Sequence, residues 1–137
     1  MIDVTADTNV YISALNFAGL PRQFLMDAMA GRFRLAISEP ILAEIRAVLR
    51  AKFSWSDATI EETVALLASC TTLVRPKLTL DVVPDDPDDN RIVECALKSG
   101  SKFIVTGDAE LLRLGSYGGI RIVKVAEFLK LVPTPEA

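Results

Sequence analysis

The chain has 137 residues, of which half are hydrophobic and 24% charged, with a net charge of −3, two cysteines and no histidine. A chain of this length buries roughly two-thirds of the surface it exposes when unfolded, enough for a core that needs no disulfide or metal staple. Without histidine, Ser-His-Asp and Cys-His catalysis and every imidazole-bound zinc site are excluded, so carboxylates must carry any acid–base or metal chemistry.

In chain order, short apolar and β-branched runs at Ile2–Ala6, Arg34–Ile37, Thr72–Val74, Phe103–Val105 and Ile120–Val125 alternate with helical patterns. The helices are expected over Val10–Leu15, Pro21–Ala30, Pro40–Arg50, Ala58–Ser69, Pro87–Ser99, Ala109–Leu114 and Ala126–Leu131. Proline suits a helix start because its missing N–H would be unpaired there anyway. Gly31, Gly100 and the Gly115–Gly119 stretch read as stops. Such alternation predicts an α/β fold, a three-layer α/β/α sandwich around a mainly parallel five-stranded sheet. One domain is expected over residues 1–132, with a Pro-Thr-Pro-Glu-Ala tail at 133–137 that cannot continue a helix.

Cys70 and Cys95 fall in helical segments with no CxxC pairing and read as small buried hydrophobes. The opening residues lack the basic start and apolar run of a signal peptide, and no segment has the ~18 apolar residues of a membrane span, so a cytoplasmic protein is expected. A pI near 5.0 argues against a broad basic surface for nucleic acid while permitting local basic patches.

In open α/β sheets, ligands bind at the carboxyl ends of strands, and two acids fall there. Asp7 follows the first strand and Asp108 the Phe103–Val105 strand. Each is explained alone as a helix N-cap; together they are placed to converge on a cation. Glu44 sits at the edge of the apolar stripe Ile41, Leu42, Ile45, Val48 and Leu49, where a half-buried carboxylate needs a cation or salt-bridge partner. Asp89 lies inside the arc of Ile92, Val93 and Ala96, with Glu94 pointing outward, and reads as a metal ligand or an N-terminal cap. In the run Asp85-Asp86-Pro87-Asp88-Asp89, Asp85 and Asp88 read as solvated loop residues. No acid of this run has a glutamate twelve positions on, which excludes an EF-hand.

Asp7-Thr8-Asn9 after an N-terminal strand, Glu44 in Ser-Glu-Pro-Ile-Leu-Ala-Glu-Ile, Asp89 in Asp-Pro-Asp-Asp-Asn-Arg-Ile-Val, and Val-Thr-Gly-Asp108 together resemble the PIN-domain family. The wording is closest to prokaryotic toxins of toxin–antitoxin pairs, the VapC type. The resemblance implies a Mg²⁺- or Mn²⁺-dependent ribonuclease that leaves 5′-phosphate and 3′-hydroxyl ends. It maps the catalytic, metal-holding acids to Asp7, Glu44, Asp89 and Asp108, with Asn9 and Thr106 in support and Asp86 as a further supporting candidate. It also implies an RNA substrate, a cognate antitoxin protein and a homodimer.

Carboxylates without imidazole suit Mg²⁺ or Mn²⁺ better than zinc. Arg46, Arg50, Lys52, Arg91, Lys98 and Lys102 are candidate RNA contacts or ordinary solvated cations, and Tyr11, Phe17, Trp55 and Tyr117 are candidate base stackers or core residues. Two other readings are a catalytically inactive PIN scaffold that binds RNA or protein, and a phosphoryl-accepting signalling domain. The latter can use Lys124 but lacks an acceptor aspartate on a middle strand.

Overall fold

The computed structural model describes residues 1–77, 79–83 and 86–132. Asp85 and the 133–137 tail, assigned above to a solvated loop and a loose end, lie outside the described residues.

Strand β1 (Asp3–Ala6) leads into α1 (Thr8–Asn16) and α2 (Leu20–Met29), then β2 (Arg34–Ser38), α3 (Glu39–Phe53), α4 (Asp57–Cys70) and β3 (Thr72–Val74). Then come α5 (Pro87–Ser99), β4 (Phe103–Val105), α6 (Ala109–Leu114), β5 (Ser116–Tyr117), β6 (Ile120–Val123) and α7 (Val125–Leu131). The sheet order is β3-β2-β1-β4-β6-β5, parallel except for the β5–β6 pair.

The chain steps outward from β1 through β2 to β3 and then returns to the other side of β1 as β4. The order therefore reverses between β1 and β4, and a crevice for ligands opens at such a point, beyond the carboxyl ends of the strands. Val4 pairs with Phe103 and Ala6 with Val105, so the residues that follow these two strands emerge side by side.

The fold class is as the sequence predicts, with one strand more. Gly115 to Gly119 is not simply a stop: Gly118 and Gly119, at φ 57° and 82°, form the two-residue turn of a hairpin that pairs Tyr117 with Ile120. Positive φ at both central positions matches the right-handed twist of the flanking strands and favours glycine. A two-residue strand is too short to give an alternation signal, so only its turn was visible.

The central strands are buried on both faces, as parallel strands between helices are. Val4, Ala6, Leu35, Ile37, Ile104 and Val105 are all in the core. One side of the molecule is closed by an aromatic cluster in which Phe24, Phe33 and Phe103 each meet Phe128 of α7 edge-to-face, with ring centroids 5.0 to 5.5 Å apart.

Helix α5 packs against β1, β2, β3 and β4. Cys95 of this helix is fully buried under Thr5, and burial pushes its thiol up to about 11, which leaves it protonated and inert. Cys70 is half-buried rather than buried, at the last turn of α4.

Glu94 corrects the expected outward orientation. It is 2% exposed, accepts a hydrogen bond from the Leu80 amide at 2.8 Å and pairs with Arg91. One turn earlier, Asn90 accepts from the Val82 and Val83 amides and donates to the Val83 carbonyl. Residues 80–83 fold back along the helix, and these two polar side chains satisfy backbone groups there that have no strand partner. Helical periodicity cannot show a loop that returns onto a polar face.

Arg91 also donates to the Leu80 carbonyl, so it is committed to this clamp rather than free for a phosphate. Arg46 and Arg50 pair with Glu61 and Asp57 on α4. Tyr11 is 1% exposed and belongs to the core. The Trp55 indole donates to Asn16, whereas Phe17 is 58% exposed.

Candidate metal centre

The acids arrive at the switch point from separate elements. Asp7 is the residue before α1, and its amide donates to the Val105 carbonyl at 2.9 Å, an extension of the β1–β4 ladder that fixes Asp7 over the end of β4. Its side chain makes no well-formed capping bond to α1, and the Thr8 and Asn9 amides favour its charged form less than the Thr106 hydroxyl does. The Thr106 hydroxyl donates to Asp7 Oδ2 at 2.7 Å and accepts from the Asp108 amide at 2.9 Å. Thr106 is fully buried and joins the loops after β1 and β4 through one oxygen atom.

Asp108 does cap its helix. Its Oδ1 accepts from the Glu110 and Leu111 amides at the start of α6. The cap fixes the carboxylate in place beside that of Asp89, close enough for the two to share a proton. Asp86 is likewise the N-cap of α5, accepting from the Asp88 amide through Oδ1. Asp89, in the first turn of α5, is the exception: it is 4% exposed, and its Oδ2 is buried with no hydrogen-bond partner.

Asp86, Asp89 and Asp108 each offer a carboxylate oxygen within 4.8 Å of the others. The tightest cluster thus includes Asp86, which sequence placed in a supporting role. Asp7 and Glu44 stand outside this triad but close enough for their charges to act on it. Asp88 is exposed, as a loop aspartate should be, yet its carboxyl faces that of Glu44. The doubled aspartates concealed this division of labour, because helix phase separates Asp88 from Asp89 only once the start of α5 is known. Asn9 is exposed near the site.

The electrostatics are those of crowded anions. Burial, followed by the charges of Asp108, Asp86 and Asp7, raises Asp89 to about 8. Burial and then Asp88, Asp7 and Asp86 raise Glu44 to about 7. Asp7 is also raised, chiefly by burial, with the Thr106 hydrogen bond opposing and the Asp108 charge adding to the shift. Among the described residues, no arginine or lysine forms an ion pair with any of the three.

Burying a carboxylate without a donor or a cation is costly, so a cluster with an orphaned inward-facing oxygen is chemically incomplete. Hard divalent cations with oxygen ligands match this donor set, and Mg²⁺ characteristically takes few protein carboxylates and keeps several waters. Asp86, Asp89 and Asp108 therefore fit such an ion.

The chain is a mainly parallel α/β protein with an all-carboxylate crevice at the reversal of its strand order. A family model described as PIN domain matches residues 3–110, and the chain belongs to that family. Among solved structures it is similar to VapBC2 from Rickettsia felis bound to a DNA fragment from their promoter, with a TM-score of 0.62 and 14% identity over 88% of this chain and 97% of that one. It is also similar to PAE2754 from Pyrobaculum aerophilum, at TM-score 0.62 and 20% identity over 96% and 89%. The DNA-bound VapBC from Salmonella typhimurium matches at TM-score 0.60 and 18% identity over 91% and 99%. At these identities the likeness is one of fold. No curated protein matches the sequence.

Proposed function

We propose that the protein is a metal-dependent endoribonuclease, the toxin of a type II toxin–antitoxin pair, working in the cytoplasm. The observation that carries this reading is the buried Asp89 Oδ2, which has no hydrogen-bond partner, in a cluster of carboxylates that forms no ion pair among the described residues. PIN-family membership and the VapBC neighbours support a nuclease of the toxin–antitoxin kind.

In this reading Asp86, Asp89 and Asp108 hold Mg²⁺ or Mn²⁺, with Asp7 and Glu44 completing the acidic wall. When bound, the ion supplies Lewis-acid stabilisation of charge on a phosphodiester. Thr106 orients the Asp7 carboxylate toward the site and ties its position to that of Asp108, and Asn9 lies on the approach to it. The cation also lowers the raised carboxyl pKa values, so metal binding at neutral pH releases protons.

The neighbouring VapBC structures favour a protein partner for this chain as well. Exposed Met26 and Met29 on α2 offer apolar surface for an antitoxin or for a second copy. Incubation of a mixed RNA pool with the purified protein in Mg²⁺, Mn²⁺ or EDTA tests the activity. Metal-dependent cleavage that disappears in Asp89→Asn is expected. A folded protein that binds metal and leaves all RNA intact points to the non-catalytic scaffold instead.

A further inference from the structure

Beside the carboxylates lies a cavity of about 310 Å³, at the lower end of the range for small-molecule sites, about 300 Å³ and upward. Val10 of α1, Leu20 and Pro21 of α2, and Val125 and Ala126 of α7 form its apolar wall. Thr106 and Gly107, which precede Asp108, also line it, so an occupant touches the loop that carries that acid. Asn9 and Ser13 supply an amide and a hydroxyl.

The basic residue in the lining is Lys124, which follows β6. It is exposed and takes part in none of the ion pairs found among the described residues. A cation on the rim of an apolar hollow, next to the loop that leads to Asp108, calls for a ligand with an apolar body, a polar edge and a negative charge. A nucleotide has all three.

We infer that this cavity is a nucleotide subsite: it receives the base of the RNA residue next to the cleaved phosphate, while Lys124 pairs with a flanking phosphate. The inference rests on the ribonuclease reading and adds to it where the strand lies, running from the carboxylates across Thr106 and Gly107 toward α7. Asn9 and Ser13 meet the polar edge of the base, and aliphatic walls hold its face without selecting one base strongly. Lys124 is a binding and positioning residue, outside the triad of acids.

Backbone amide shifts of the isotope-labelled protein test this with two separate titrations, one with Mg²⁺ and one with a mixture of the four ribonucleoside 5′-monophosphates. The expected result is that Mg²⁺ moves the Asp86, Asp89 and Asp108 amides, whereas the nucleotides move Asn9, Ser13, Gly107 and Ala126 with a Kd of about 1 mM or tighter. Ala126→Trp, which fills the hollow from the exposed side of α7, abolishes the nucleotide response and keeps the Mg²⁺ response. Lys124→Ala weakens nucleotide binding about 5-fold, the upper end for an exposed ion pair, and Lys124→Arg restores it.

A Mg²⁺ response with no nucleotide response at the cavity overturns the subsite, leaves the metal centre standing and assigns the hollow to a protein side chain. Equal shifts with inorganic phosphate alone overturn the base contact. Absence of the Mg²⁺ response, with cavity shifts from nucleotides intact, contradicts the nuclease reading but not the cavity.

Discussion

Asp89 and Thr106 show how single side chains define this site. An aspartate whose oxygen is buried without a partner destabilises the ion-free protein, so Asp89→Asn is expected to raise the stability of that form by about 1 to 2 kcal/mol while removing metal binding. Urea unfolding in EDTA, alongside calorimetric titration with Mn²⁺, reads both effects; a destabilised variant contradicts the account. Thr106→Val keeps the shape but removes the donor to Asp7 and the acceptor for the Asp108 amide. Metal affinity or cleavage should fall about 10- to 100-fold, as for other residues that orient a metal ligand, and an unchanged affinity and rate would show that this link is dispensable.

These residues differ in how far the sequence reveals them. Asp7 and Asp108 stand out because β-branched runs end immediately before them, and strand ends are where α/β sites form. The hydroxyl of Thr106 is adjacent to such an end, but its double hydrogen bond depends on β1 and β4 being neighbours, which spacing does not state. Asp86 and Asp88 are chemically identical in the sequence. Only the position at which α5 begins turns one toward Asp89 and Asp108 and the other toward Glu44.

At the level of elements, α5 does two tasks. Its first turn carries the acids, and its polar face clamps residues 79–83 through Asn90, Arg91 and Glu94. Replacing Glu94 with Ala leaves the Leu80 amide and the Arg91 guanidinium without their partner and should cost about 3 kcal/mol, measured by denaturant unfolding. By contrast, the Arg50–Asp57 pair between α3 and α4 is exposed on both sides, and Arg50→Ala should change stability by less than about 1 kcal/mol. A reversal of this ranking would mean that the clamp is peripheral.

The periodic parts of the elements were readable because apolar positions repeat at helical or strand spacing. The β5–β6 hairpin and the returning loop were not, since one strand has two residues and the other feature depends on side chains bonding to a distant backbone. The outward placement of Glu94 failed for this reason: a charged residue off the apolar stripe points to solvent only when nothing folds over it.

For the whole molecule, the carboxyls set a dependence on pH. Asp89 and Glu44 have folded-state values of about 8 and about 7, above their ordinary values, so the folded protein binds more protons than the unfolded chain between about pH 4 and 8. Their contribution to stability is therefore fully present below about pH 4 and is lost as pH rises through 7 and 8. The ion-free protein should melt at a lower temperature at pH 8 than at pH 6, and saturating Mn²⁺ should narrow or reverse that difference by binding the folded state.

The measurement that tests the central claim most directly is cleavage of a mixed RNA pool by the purified protein in Mn²⁺, Mg²⁺ or EDTA, beside a folded Asp89→Asn control. The account predicts cleavage with either ion, none in EDTA and none in the variant. Cleavage that persists in EDTA or in Asp89→Asn would contradict it, because the crevice at the β1–β4 switch point would then not be where the chemistry occurs.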